Sequence, residues 1–157
     1  MADVHDPATR SRNMAAVRSR DTKPELLFRR GLFHRGFRYR VNVRTLPGRP
    51  DVVLKKYRAA VQIHGCFWHG HDCDLFHWPQ TRPEFWHQKI STNQVRDSTV
   101  GDDLRALGWR VLTVWECALR GTQAIPLEDV IRLAERWILD GGTREEISGR
   151  RKRRVDH

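Results

Sequence analysis

The chain has 157 residues, enough for one domain with a sizeable core, since a chain of this size buries about two-thirds of its unfolded surface. Its 29 Lys and Arg against 19 Asp and Glu give a formal net charge of +10, which points to a polyanionic partner, nucleic acid above all, and no basic amphipathic helix marks a membrane surface. With 39% hydrophobic residues, a mean hydropathy of −0.66, no apolar run near the ~20 residues of a membrane span and no apolar segment behind the N-terminal charges, the chain is expected to be soluble and cytoplasmic.

Residues 1–20 are polar and basic, with Arg10, Arg12, Arg18 and Arg20, and read as a flexible arm or a short helix. Thr22-Lys23-Pro24-Glu25 is a helix start, with Thr22 as N-cap, Pro24 in the first turn and Glu25 at the capping-box position. Leu26, Leu27, Leu32 and Phe33 give this helix an apolar face, and Gly36 ends it. The alternation FRYRVNV over 37–43 predicts a strand, LPGRP over 46–50 a turn, and Asp51-Val52-Val53-Leu54 a short apolar strand. Lys55-Lys56 turns the chain into a further strand over 57–64, apolar at Ala59, Ala60, Val61 and Ile63, so these last two strands form a hairpin.

Residues 65–80 lack a period and are expected to be an ordered loop. Thr81-Arg82-Pro83-Glu84 repeats the capping-box pattern and opens a long helix toward Leu107. Phe85, Ile90, Val95, Val100, Leu104 and Leu107 lie on its expected inner face, and Gly108 caps it. WRVLTVW over 109–115 predicts an apolar strand, and a last helix spans about 126–139, carrying Leu127, Val130, Ile131, Leu133, Ala134 and Trp137. Beyond Gly141-Gly142 comes the basic run RRKRR at 150–154, in a tail expected to be disordered. The order α-β-β-β-α-β-α puts helices on a mixed central sheet, an α/β fold. The chain divides into an arm (1–20), a folded domain (21–140) and a basic tail (141–157).

Three cysteines, Cys66, Cys73 and Cys117, are an odd number, which argues against a disulfide framework in a cytosolic chain. With one histidine they make a closed tetrahedral zinc set. Buried free thiols beside exposed histidines are the alternative. Within GCFWHGHDC at 65–73, His71 can join Cys73 on one side of a tight loop, which leaves His69 for another task. Zinc there would staple a loop with little core of its own, so that metal binding would be folding free energy.

Asp51 opens one strand and Gln62-Ile63-His64 closes its neighbour, so the two can meet at one point. A hard ion such as magnesium takes carboxylate and carbonyl oxygens and keeps several waters. Asp51 could supply the carboxylate and the main chain of Ile63 the carbonyl. His64 and His69 lie just beyond and could polarise a phosphate or transfer a proton, which makes a plausible site for metal-assisted phosphodiester hydrolysis. Taken alone, Asp51 also reads as a turn aspartate after proline, Glu25 as a capping-box carboxylate and Asp97 as a solvated helix residue. Phe67, Trp68 and Trp86 can stack on bases or wedge between them, although residue type alone favours packing them under the loop. Trp109, Trp115 and Trp137 read as ordinary core.

PGRPD at 47–51, HGCFWHGHDC at 64–73, TRPEFW at 81–86 and GWRVLTVWECALRG at 108–121 together closely resemble the very-short-patch mismatch repair endonucleases (Vsr), and residues 1–14 resemble their N-terminal arm. The likeness spans most of residues 1–140. It implies a restriction-endonuclease-like fold and a magnesium-dependent nick on the 5′ side of the thymine in a T:G mismatch, left when 5-methylcytosine deaminates. By position, Asp51 resembles the metal-binding aspartate and His69 the general acid/base, with His64 as a second site histidine. Asp97 and Glu25 resemble supporting acidic residues. Cys66, His71, Cys73 and Cys117 match structural zinc ligands, and Phe67, Trp68 and Trp86 match rings inserted beside the mismatch from the major groove. The arm is similar to one that crosses the minor groove, and a MutL-type repair factor is an implied partner of a monomeric, nucleoid-associated bacterial enzyme. Position 63 is Ile where the family pattern has Thr, position 70 is Gly where a further His is usual, and His64 stands where restriction-like folds carry a lysine. A non-catalytic zinc-stapled DNA-binding protein and a restriction-type nuclease of the same fold are the rival readings.

Overall fold

Val52–Leu54 (β1) and Ala59–His64 (β2) are apolar almost throughout and buried along nearly their whole length, as strands covered on both faces must be. A single 3-10 turn, Lys55–Tyr57, joins them into the expected antiparallel hairpin, with Val52 opposite Val61. The computed structural model describes residues 22–141 and 145–151. Before the hairpin lies helix α1 (Lys23–His34). After it come α2 (Pro83–Ala106), β3 (Arg110–Trp115), the short helix α3 (Glu116–Leu119), α4 (Leu127–Asp140) and β4 (Glu146–Ile147). Among the described residues the strands form one mixed sheet in the order β1-β2-β3-β4, with β2, β3 and β4 parallel. The described part is therefore an α/β fold whose mixed sheet is flanked by helices.

Residue alternation along the sheet decides which helix covers which face. Val52, Leu54, Ala59, Val61, Ile63, Leu112 and Val114 meet Phe28 and Leu32 of α1 and Val130, Ile131, Ala134, Trp137 and Ile138 of α4. Ala60 and Val111 face the other way, onto Leu104 of α2, with Leu46, Val100 and Trp109 around them. Helices α1 and α4 approach closely at Gly31, where a Cβ would lie 2.5 Å from Ile131 Cδ1. Arg110 ties β3 to the end of α4 by donating to the carbonyls of Trp137 (2.8 Å), which also accepts the Gly141 N–H, and Ile138 (2.9 Å), both in the last turn, where helix carbonyls need partners from outside the helix.

Several expectations are corrected. Residues 37–43 form no strand: one bridge, Arg40 to Val53, is all that pairs, and Asn42 is left-handed at φ 50°. Neither capping box forms. Thr22 precedes α1 without a side-chain cap, and the residue capping α2 is Arg82, not Thr81. On α2, Ile90 and Leu104 are buried, but Phe85, Val95 and Leu107 are exposed: at 3.6 residues per turn Phe85 and Val95 point roughly 140° away from Ile90, and Leu107 lies past the helix end. The tail expected to be disordered contributes β4, with Ile147 buried beside Val114. The arm at 1–20, and 152–154 of the basic run, lie outside the described residues.

Candidate active site

Parallel pairing puts the C-terminal ends of β2 and β3 side by side, His64 opposite Trp115, where open α/β sheets hold their ligands. Because β1 runs antiparallel to β2, its start reaches the same edge. Asp51 stands there, and its Oδ2 accepts the Ile63 N–H at 2.6 Å. The Ile63 side chain belongs to the main core, so an apolar residue is accommodated at 63. Arg29 donates to the Asp51 carbonyl at 3.2 Å and to Glu25 Oε2 at 3.3 Å, both side chains of that ion pair being buried. Glu25 is thus part of the carboxylate neighbourhood of Asp51 rather than a capping residue. Burial foremost, then the Glu25 charge, pushes the Asp51 carboxyl from 3.8 up to about 7, against the opposing Ile63 N–H and Arg29.

His64 ends β2, and His69 folds back over it with the rings stacked, centroids 3.9 Å apart and 3° from parallel. Asp97 of α2 hydrogen-bonds His69 Nδ1. That bond sets the tautomer and orientation of the ring, the arrangement of an oriented general acid/base. Burial, then the neighbouring His69, lowers the His64 pKa to about 3, so that ring stays neutral. Helix α2 also holds the loop's main chain: Asn93 donates to the Trp68 carbonyl at 2.8 Å and Gln94 to the His69 carbonyl at 3.2 Å. Glu25, Ile63, His64, His69 and Asp97 all line a cleft of about 610 Å³, together with the cations Lys89, Arg96 and Arg120.

Phe67, Trp68 and Trp86 meet as a three-ring cluster, with centroids 5.2–5.8 Å apart. Phe67 and Trp68 line the cleft, and all three are only partly buried. They are neither closed core nor free surface.

Cys66, His71, Cys73 and Cys117 converge on the other side of Trp115, with one ligand atom of each within 4.8 Å of the others. His71 Nδ1 lies 3.5 Å from Cys66 Sγ and 3.6 Å from Cys117 Sγ. A zinc tetrahedron built from its usual bond lengths has sulfur–nitrogen edges of about 3.6 Å, so the donor set fits zinc. The Cys117 thiol is lowered to about 6 by the Cys66 thiol donating to it, helped by the Gly149 N–H, while Cys66 is raised by giving that hydrogen bond. One sulfur is therefore ready as a thiolate, the form a metal binds. Gly70 lies under α2, where a Cβ would come 2.6 Å from Gln94 Nε2. Only a shift of α2 side chains would admit the further histidine of the family pattern.

Residues 2–75 match the sequence model of the family described as DNA mismatch endonuclease Vsr. DNA mismatch endonuclease Vsr of Escherichia coli (strain K12) is 49% identical over 147 residues, 94% of each chain. The chain belongs to the Vsr family. The type II nicking enzyme V.NmeAIP of Neisseria meningitidis is 44% identical over 85% of this chain and 94% of its own. V.XorIIP of Xanthomonas oryzae is 41% identical over 80% and 92%.

Two residues of this Vsr-family site were invisible to sequence reasoning. Trp115, read as ordinary core, stacks on His71 at 4.1 Å and meets His64 edge-on at 5.4 Å, so it forms the wall between the cysteine cluster and the histidine pair. Gln123 is buried and takes the Asp74 N–H on Oε1 while donating to the Arg150 carbonyl. Neither carries a local signal, because both act through contacts between segments distant in sequence.

Proposed function

We propose that this chain is a magnesium-dependent endonuclease that nicks duplex DNA on the 5′ side of the thymine in a T:G mismatch arising from 5-methylcytosine deamination, initiating very-short-patch repair. One observation carries the reading: the Asp51, His64, His69 and Asp97 side chains gather at one strand edge beside the rings of Phe67, Trp68 and Trp86. Its setting is a chain 49% identical to a mismatch endonuclease.

In this reading Asp51 and the Ile63 carbonyl would hold magnesium, which would supply Lewis-acid chemistry at the scissile phosphate. His69, oriented by Asp97, moves the proton. His64, kept neutral by burial, offers one ring N–H to a phosphate oxygen. Glu25 and Arg29 hold the Asp51 segment in place, and Lys89 and Arg96 draw the phosphate backbone into the cleft. Phe67, Trp68 and Trp86 enter the stack beside the mismatch, where a wobble pair is cheaper to unstack than a matched one.

Zinc on Cys66, His71, Cys73 and Cys117 staples the loop that carries His69 and two of the rings. The fold is of the restriction-endonuclease type. Residues 1–20 act as a DNA-contacting arm, 21–140 as the endonuclease domain and 141–157 as a basic tail, of which Glu146–Ile147 joins the sheet as β4. The enzyme works as a monomer in the bacterial cytoplasm at the nucleoid, with a MutL-type factor as partner. A T:G duplex incubated with magnesium tests the reading. The wild type leaves a single nick and Asp51→Ala leaves none. Binding without cleavage by the wild type would make the chain a DNA-binding module instead.

A further inference from the structure

The two walls of the cleft differ in charge. Helix α2, which packs on one face of the sheet through Leu104, brings Lys89, Arg96 and Asp97 to it. Helices α1 and α3 cover the opposite face through Phe28, Leu32 and Ala118. The charged residues on their side of the cleft are Glu25, Glu116 and Arg120. Among the described residues, Arg120 is therefore the one cation that lines the cleft from this side. Without it, a DNA strand approaching past two carboxylates would meet a repulsive wall.

Arg120 is also held ready. Its N–H donates to the Glu116 carbonyl at 3.0 Å, and the α3 residues between them, Cys117 and Ala118, are buried. Its Nε donates to Glu116 Oε2 at 2.6 Å, while Glu116 Oε1 accepts the Cys66 N–H at 3.2 Å. One carboxylate thus grips both the arginine and the start of the cysteine loop. Among the described residues the two Nη groups of Arg120 donate to nothing. A guanidinium anchored through Nε presents those groups as a planar fork, which can take two phosphate oxygens at once. The Arg120 side chain is 59% exposed against 21% for His69, so the fork stands at the mouth of the cleft and not at the reacting phosphate.

We infer that Arg120, oriented by Glu116, binds a backbone phosphate beside the scissile one, so that the cut strand is gripped from both walls of the cleft. The inference rests on the proposed reading of the cleft as a DNA site, but not on nicking. The test measures binding of the full-length protein to T:G duplexes by fluorescence anisotropy, without magnesium. Each duplex carries one methylphosphonate, which removes the charge of a single phosphate of the thymine strand. At one position next to the cut the wild type loses about three- to tenfold in affinity, as an exposed charge-assisted contact does. Arg120→Ala binds the unmodified duplex more weakly by a similar factor, and the same methylphosphonate then costs it nothing further. This variant also flattens the slope of log affinity against log salt by about 0.9, one phosphate contact. Glu116→Gln, which keeps one acceptor of the two, shrinks the penalty at that position. A thermal midpoint close to that of the wild type reports that each variant is folded. Additive losses at every position, or an unchanged salt slope, overturn the contact. An undiminished penalty in Glu116→Gln overturns the orienting role. A wild type that shows the coupling yet never nicks once magnesium is added refutes the proposed function and leaves the contact standing.

Discussion

Within the candidate site, Asp51 carries a strongly perturbed carboxyl. Its proton is held to about pH 7, against 3.8 ordinarily, because burial and the Glu25 charge oppose ionisation. Between those values the native state binds more protons than the unfolded chain. Stability of the magnesium-free protein therefore falls as pH rises from about 4 to about 7 and levels above it. A cation on the carboxylate must displace that proton, so the apparent magnesium affinity should rise about tenfold per pH unit below 7 and flatten beyond. Isothermal titration at several pH values measures this, and Asp51→Asn should abolish the slope. At this scale the sequence was partly legible. Asp51, His64 and His69 stand at strand ends or in a loop of unusual composition, where residue type already suggests chemistry. Glu25 and Asp97 sit inside helices, and only the tertiary pairing with Asp51 and His69 distinguishes them from capping or solvated acids.

At the scale of elements, the hairpin and β3 were legible from short apolar runs, α2 from the Pro and Gly at its ends, and α4 from its apolar period. The segments at 37–43 and 145–151 were misread for one reason: pairing partners decide them, not local pattern. FRYRVNV alternates well yet finds one bridge, while the short Glu146–Ile147 segment is held by β3. The following residues close over the cysteine cluster, where the Gly149 N–H donates to Cys117 Sγ at 3.2 Å and the Arg150 N–H to the Gln123 carbonyl at 2.7 Å. A Cβ at Gly149 would lie 2.5 Å from the Cys117 carbonyl and 2.6 Å from that of Gln123. Gly149→Ala should therefore lift this strap, at a cost of about 1–3 kcal/mol in thermal stability, as overpacking typically does. It should also speed zinc release to a chelator. Calorimetry and a colorimetric zinc assay read the two effects. Unchanged release would mean that the strap does not guard the metal.

Across the whole molecule, function follows from where strand ends meet. The parallel β2–β3 pair delivers His64, Cys66, Trp115 and Cys117 to one edge, so the cysteine cluster and the histidine pair share Trp115 as a common wall. Among the described residues, no helix is long and apolar enough to cross a membrane. The net charge of +10 should make binding to a matched duplex strongly salt-dependent. For six or more phosphate contacts, affinity drops about 1,000-fold or more between 50 and 200 mM salt, and fluorescence anisotropy across that range checks it. A flat salt response would leave the basic excess without a role in DNA binding. The account's central claim is mismatch-dependent nicking, and single-turnover cleavage of two end-labelled duplexes that differ only in a T:G against a C:G pair tests it most directly. The account predicts one cut, on the thymine strand and immediately 5′ to that base, in the T:G duplex alone. Equal cutting of the C:G duplex, or cuts in both strands, would contradict it.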